Sequence, residues 1–377
     1  MKNLFKKFIA TIVLAIAFLT VGFTSDAAES AYTPIKVTDV EKMPELTFRT
    51  VTVPVNSSVV IPINIPSKGG IWLYHSYLGY DVDGKIYKDA SCTIIHDPLY
   101  FTENWRSDLY PDTRIGDVEF DKGGTYYLKL ENKNKYGEDA IRIPIAAYFF
   151  DGSDKDICSG KTYATYRLDN DEVLYKFKAN KTGYINVEIV QNDDYPVTVK
   201  LLDSNKKELS NTSVWKSDVR FKIASFGVEK GKTYYIATFG TIKAPESSAY
   251  NVKYTIKSVK EKSGSKKSKA VTIKKNKTIK GIQIANGKKS GSDWYKIKLT
   301  KKQKINFYVK GNSNRLGAIK LSIIPANTKY KKYKKTILIP KNQSQTITTE
   351  KLPKGTYYIQ VYKADKMASG YYTIKWN

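Results

Sequence analysis

One short segment returns at domain-sized intervals, and it constrains the fold more than any other feature of the chain. Gly124-Thr125-Tyr126-Tyr127-Leu128 comes just after Lys122, Gly231-Lys232-Thr233-Tyr234-Tyr235-Ile236 after Lys230, and Gly355-Thr356-Tyr357-Tyr358-Ile359 after Lys354. The first tyrosines lie 108 and 123 positions apart, about one small domain each time. Adjacent side chains of a strand point to opposite faces, so one tyrosine enters a core and the other faces out. The glycine supplies a positive φ at the turn into the strand. These tyrosines therefore read as structural.

Other landmarks keep step with this one. Leu174-Tyr175-Lys176-Phe177-Lys178, then Lys181-Thr182-Gly183, then Tyr184-Ile185-Asn186-Val187-Glu188-Ile189 alternates apolar and polar residues, as a hairpin with a tight turn would. Trp294 to Leu299 and Lys304 to Val309 repeat that pattern, and Val59 to Ile65 with Ile71 to Tyr74 hold the corresponding place in the first third. Each third closes on an alternating strand carrying Ile141, Ile143 and Ile145, then Tyr250, Val252 and Tyr254, then Tyr372, Ile374 and Trp376. Long amphipathic helical periodicity is missing. The pattern predicts an all-β chain of three tandem antiparallel β-sandwich, jelly-roll-like modules: 32–152, 153–259 and 271–377, with a Lys/Ser/Gly linker at 260–270 that reads as flexible.

The combination of Asp293-Trp294-Tyr295-Lys296-Ile297, Gly355-Thr356-Tyr357-Tyr358-Ile359 and Gly370-Tyr371-Tyr372-Thr373-Ile374 resembles the bacterial pre-peptidase C-terminal family. Module 2 matches less closely and module 1 loosely. The resemblance implies a jelly-roll-like sandwich serving as a non-catalytic extracellular accessory module, in a family whose relatives include collagen-binding domains of secreted proteases. No protease domain accompanies it here.

The first residues carry Lys2, Lys6 and Lys7, an apolar run from Phe8 to Phe23, and small residues around Ser25-Asp26-Ala27-Ala28. This is the order of a secretory signal peptide, 1–27, cleaved after Ala27 or Ala28. A retained signal anchor is the alternative, although the apolar core is short for a span. The expected location is extracellular or on the cell wall.

Charge divides the chain sharply. From Lys260 to Asn377 there are 30 Lys and Arg against Glu261, Asp293, Glu350 and Asp365, a balance of +26. The preceding 259 positions are nearly neutral, with 33 basic and 32 acidic residues. Charge placed for solubility alone would be spread over all three modules. The excess instead predicts a polyanion partner: an anionic cell-wall polymer, a glycan or lipid head groups. The leading candidates are Lys266, Lys267, Lys274, Lys275, Lys331, Lys332, Lys334 and Lys335. Arg315 is the one arginine of this region, so recognition would use point charges rather than bidentate forks. Lys and Tyr interleaved at 329–335 could hold single-stranded nucleic acid, but the export signal makes that an accidental ligand.

Chemistry is sparse. His75 and His96 are the two histidines, and Cys92 lies four residues before His96, about 13 Å away on an extended strand and too far for a nucleophile and its base. Cys92 and Cys158 either form a disulfide, worth roughly 4 kcal/mol by the chain-entropy model, or remain two free thiols. Asp151, Asp154 and Asp156 could collect Ca²⁺, but Lys155 lies among them and the EF-hand spacing is absent, which favours a polar inter-domain turn and no cofactor. Tyr100, Trp105 and Tyr110 form an aromatic stretch able to stack on an extracellular protein or glycan, or else to cap the sandwich. The expected function is a secreted, non-catalytic protein held on an anionic surface by its basic C-terminal module. The alternatives are an adhesin binding a host matrix protein or glycan through module 1, and an enzyme with an unfamiliar site there.

Overall fold

A computed structural model of the chain describes residues 30–76, 82–99, 101–103, 113–133, 140–166, 171–191, 197–214, 222–240, 249–288, 291–313, 319–339 and 344–377. Among them the strands form six sheets, arranged as three two-sheet sandwiches in chain order. The fold is all-β, with helix among the described residues limited to two 3₁₀ segments, Lys267–Lys269 and Thr328–Tyr333.

Modules 2 and 3 share one strand order. In module 3 the five-stranded sheet runs Val271–Thr272, Ser292–Leu299, Gly355–Lys363, Ile319–Pro325, Lys335–Ile339, and the four-stranded sheet runs Ile279–Gln283, Gly370–Trp376, Asn306–Ser313, Ser344–Thr348. Module 2 repeats this with Lys155–Asp156, Val173–Lys178, Thr233–Gly240, Val197–Leu202, Glu208–Val214 and with Thr162–Tyr166, Ala249–Ser258, Gly183–Gln191, Lys222–Val228. Module 1, the loosest match in sequence, has the same core: Ser58–Ile65, Gly124–Asn132, Val82–Tyr87, Ile95–Asp97 face Arg49–Val53, Ile141–Asp151, Gly69–Ser76, Thr113–Phe120. The pairing is antiparallel except at short leading strands such as Lys155–Asp156 and Val271–Thr272, which join an edge in parallel.

The strand pairs expected as hairpins are not hairpins. Val173–Lys178 pairs with Thr233–Gly240, whereas Gly183–Gln191 pairs with Lys222–Val228 and Ala249–Ser258 in the opposite sheet. Ser292–Leu299 and Asn306–Ser313 separate in the same way. Each is a corner that carries the chain across the sandwich. Period-2 alternation fixes which residues face the core, but it is identical whether two strands lie side by side or face one another across it.

The repeated tyrosines behave as their spacing predicts. Tyr126, Tyr234 and Tyr357 are buried, at 6%, 2% and 0% exposure, while Tyr127, Tyr235 and Tyr358 face outward. Each buried hydroxyl returns to the backbone of its own turn: Tyr126 donates to Lys122 O (3.2 Å), Tyr357 donates to Pro353 O (3.0 Å), and Tyr234 accepts from Glu229 N (3.1 Å). A buried aromatic thus brings its area without an orphaned hydroxyl.

The modules are joined in two different ways. Trp72, Tyr74, Tyr148 and Phe150 of module 1 belong to the same apolar cluster as Tyr166, Tyr175, Ile185 and Phe226 of module 2. Gly70 lets the Tyr166 ring lie where a Cβ would stand, 2.2 Å from its atoms. Module 3 has its own cluster, from Ile273 to Trp376, contributes Ala285 alone to the cluster of modules 1 and 2, and otherwise meets module 2 mainly through polar contacts. Gly227 N donates to Ser369 Oγ (2.6 Å), Ala285 N to Gly227 O (2.9 Å) and Ser210 Oγ to Met367 O (2.6 Å), and Tyr184 stacks on Tyr371 with centroids 4.2 Å apart.

The segment read as a flexible linker is instead built into module 3. Gly264 forms an antiparallel bridge with Trp294, Ser263 Oγ donates to Asp293 Oδ1 (3.1 Å), and Lys267–Lys269 is a helical turn. Its composition is that of a linker, but its backbone groups satisfy the edge of the Ser292–Leu299 strand.

Candidate polyanion-binding pole

The corner topology sorts the connections of module 3 between two ends. Strand registers place the segments 273–278, 300–305, 326–334 and 349–354 at one pole, because Leu299 pairs with Gly355, Asn306 with Thr348, Pro325 with Tyr357, and Asn276 N donates to Trp376 O (2.8 Å). The opposite pole carries Gln283, Ile284, Ala285, Met367 and Ser369, the groups that meet module 2. The free pole collects Lys274, Lys275, Lys277, Lys301, Lys302, Lys304, Lys329, Lys331, Lys332, Lys334, Lys351 and Lys354 against Glu350 alone. Lys335 follows at the start of its strand.

Local structure holds the 329–335 group in place. Asn327 caps the 3₁₀ segment, its Oδ1 accepting from Lys329 N (2.9 Å), and Lys334 N donates to Lys331 O (3.0 Å). The turn exposes Lys331, Lys332, Lys334 and Lys335, while Tyr333 packs on the core, its ring 6.3 Å from Tyr330 and 5.3 Å from Lys332 Nζ. Lys332, Lys334 and Lys335 line a cavity of about 240 Å³ with Thr348, Thr349 and Glu350.

Anions within the module do not neutralise this pole. Ion pairs between described residues all involve lysines before position 260, for example Lys36–Asp151, Lys200–Glu172 and Lys253–Glu188. Two of the four acidic residues of the basic region are withdrawn into its core. Asp293 accepts from Ser263 Oγ, Gln283 Nε2 (2.5 Å) and Tyr372 Oη (2.7 Å), and Tyr295 donates to Tyr372 (2.9 Å). Glu261 lies against Asp293 and accepts from Ile282 N (3.4 Å). Burial, then the neighbouring Asp293 charge, pushes the Glu261 carboxyl up to about 8, and burial raises Asp293 as well.

Of the eight lysines expected to bind, Lys274, Lys275, Lys331, Lys332, Lys334 and Lys335 meet at the free pole. Lys266 and Lys267 do not; they lie in the segment that covers the sheet edge, with Lys267 Nζ 4.8 Å from the Tyr358 ring. The flanking lysines at 301–304 and 351–354 escaped sequence reasoning, because their place depends on the corners.

Other expected sites come out differently. Tyr100, Trp105 and Tyr110 lie outside the residues whose side chains are described. Cys92 and Cys158 are unbonded. Cys92 sits in a positive-φ turn beside Asp89, Lys129 and Glu131, and Cys158 in an exposed turn beside Tyr163 and Tyr254, so of the two alternatives the structure has the free thiols. Asp151, Asp154 and Asp156 are engaged apart from one another. Asp151 takes Lys36 (3.2 Å), Ser67 (3.0 Å) and Ser153, Asp154 accepts from Leu174 N (2.9 Å), and Asp156 faces Lys176 at 3.9 Å. Burial alone would raise Asp151, but the Ser153 hydrogen bonds and the Lys155 ammonium, 3.6 Å away, hold it well below the ordinary carboxylate range. Among the described residues no group of three or more His, Cys, Asp or Glu side chains is placed to hold a metal ion.

The histidines are built into module 1. Burial, then Arg114, pushes His75 down to about 4. His96 Nε2 donates to Glu119 O (2.7 Å) and its ring stacks on Phe120 at 4.9 Å. No described helix is long and apolar enough to cross a membrane.

No protein-family model matches the chain, and no curated protein matches it in sequence. Solved structures similar to it include tripeptidyl peptidase 2 (8% identity, TM-score 0.24, covering 87% of this chain and 33% of that one). Another is the tandem CBM51 modules of Sp3GH98 from Streptococcus pneumoniae SP3-BS71 (10% identity, TM-score 0.19, 80% of this chain and 99% of that one). A third is Paenibacillus xanthan lyase (12% identity, TM-score 0.23, 87% and 35%). The chain thus spans about a third of the length of the first of these. Superpositions this loose carry no functional argument.

Proposed function

We propose that this is an exported, non-catalytic binding protein that rests on an anionic surface through the free pole of module 3. The concentration of twelve loop lysines at the end of the chain of modules farthest from module 2, against Glu350 alone, supports the reading. Each ammonium is a strongly hydrated point charge on a flexible stem, so binding is multivalent, salt-sensitive and tolerant of ligand detail. A polymer of repeated negative charge, such as a cell-wall phosphate polymer, matches that chemistry. Modules 1 and 2, nearly neutral, project away from the surface. The resemblance to pre-peptidase C-terminal modules belongs to the same reading, that of a non-catalytic accessory domain.

The test is co-sedimentation of the full protein with purified bacterial cell walls across a salt series. Reversing Lys331, Lys332, Lys334 and Lys335 to Glu should weaken retention at least tenfold without lowering the unfolding temperature. Undiminished retention, or retention indifferent to salt in the unaltered protein, would remove the pole from this role.

A further inference from the structure

Beyond the pole, we infer that the outer face of the five-stranded sheet of module 3 binds a linear acidic polysaccharide of pyranose rings. This is a separate surface, and its ligand is selected by rings and hydroxyls as well as charge.

The outward positions of the central strand Gly355–Lys363 are Tyr358, Gln360 and Tyr362, and two strands flank them in register. Trp294 lies opposite Gln360, Lys296 opposite Tyr358, and Lys320 opposite Tyr362. Tyr358 and Tyr362, four residues apart, are separated by about 13 Å along the strand. Gln360 Nε2 donates to Ser292 Oγ (3.0 Å), and Ser322 Oγ lies 2.7 Å from Thr336 Oγ1 and 3.4 Å from Tyr362 Oη. A row of amide and hydroxyl groups thus crosses the sheet between Trp294, Tyr362 and Tyr358, the last with Lys267 Nζ 4.8 Å from its ring, and Lys296 and Lys320 stand at the two ends of the patch. The outward positions of these strands hold no carboxylate.

The same face of module 2 shows that this is not a property of the sandwich itself. By register, Trp294 replaces Leu174, Gln360 replaces Ala237, Tyr362 replaces Phe239, Lys320 replaces Thr198, and Ser292 replaces Glu172. In module 2 Glu172 pairs with Lys200, whose ammonium also lies 4.6 Å from the Phe239 ring, so the charge there is satisfied within the face. Each of these five replacements adds a ring, a hydrogen-bonding group or a cation, or removes the anion, while Ser322 takes the place of Lys200 and Ile324 that of Leu202. Flat rings suit the apolar faces of sugar rings, the polar row suits their hydroxyls, and the unmatched lysines suit acidic substituents. A ring-free polyphosphate would use only the lysines.

The experiment measures binding of the full protein to polygalacturonate and, separately, to inorganic polyphosphate. Replacing Trp294 and Tyr362 together by Ala should cost at least tenfold in affinity for polygalacturonate and leave polyphosphate binding within twofold. The surface change Ser292→Glu, which restores the carboxylate of module 2 without removing a ring, should weaken polygalacturonate binding severalfold with unchanged thermal stability. The pole variant should show the reverse preference. Equal losses on both polymers, or no loss on either, would overturn the inference. Binding of polyphosphate without any binding of polygalacturonate would overturn it while leaving the pole intact, whereas failure to bind polyphosphate would count against the pole.

Discussion

The joint between modules 1 and 2 and the joint between modules 2 and 3 are made of opposite materials. At the first, large aromatic side chains from both modules merge into one apolar cluster, with Tyr166 seated over Gly70. At the second, module 3 lends that cluster only Ala285 and is held chiefly by backbone and hydroxyl hydrogen bonds around Gly227, plus one tyrosine stack. Apolar burial is non-directional and accumulates with area, so the first joint makes modules 1 and 2 one cooperative unit. The second joint depends on a few directed contacts and is the place where the molecule can separate.

That contrast can be broken most severely at the first joint. Phe150→Ala removes a fully buried ring shared by both modules and should cost about 3–5 kcal/mol. Calorimetry should then show one lowered transition for modules 1 and 2 and an unmoved one for module 3. Separate transitions for modules 1 and 2 would show that the shared cluster does not couple them.

A smaller effect is expected at the second joint from Gly227→Ala, whose Cβ would stand 2.4 Å from Gln283 O. Overpacking of this kind costs about 1–3 kcal/mol. Here it should release module 3 from module 2, seen as a larger radius of gyration in solution scattering with both transitions retained.

The joint should also respond to pH. Glu261 has a folded pKa of about 8, above its ordinary value of 4.5, so its contribution is fully present below about pH 4.5 and is lost progressively as pH rises from there to about 8. Asp293 is raised in the same sense, and Gln283 connects it to the joint, its side chain donating to Asp293 and its backbone oxygen accepting from Ser369 Oγ (3.2 Å). The module 3 transition should therefore fall by several degrees between about pH 4.5 and 8 and level off above it while that of modules 1 and 2 holds, and Glu261→Gln should flatten the fall. The smallest change is Ser369→Ala, which deletes the hydroxyl between Gly227 N and Gln283 O and should cost about 1 kcal/mol of docking, read as faster proteolysis at the joint.

Part of this architecture could be read directly from the chain. The Gly-x-Tyr-Tyr segments and closing strands are local, and alternation assigned their faces, so the sandwich class and the inward tyrosines followed. The corners did not, since alternation carries no information about which strand lies alongside. The error propagated: with Ser292–Leu299 and Asn306–Ser313 taken as a hairpin, nothing placed Lys301, Lys302 and Lys304 beside Lys331 and Lys332. Module 1 matched loosely because Ile61 stands where module 2 has Tyr175 and module 3 has Tyr295, although the strand order is unchanged. The pair formed by Glu261 and Asp293 was out of reach too, because a carboxylate among Lys, Ser and Gly reads as solvated.

The short parallel strand that opens each module has a consequence of another kind. The Ser292–Leu299 strand would end its sheet with a row of unpaired amide and carbonyl groups, a template for any extended chain that came near. Gly264 and Val271–Thr272 occupy that rim. If the protein gathers on a surface as proposed, this modest stretch of backbone would deny that edge to neighbouring copies.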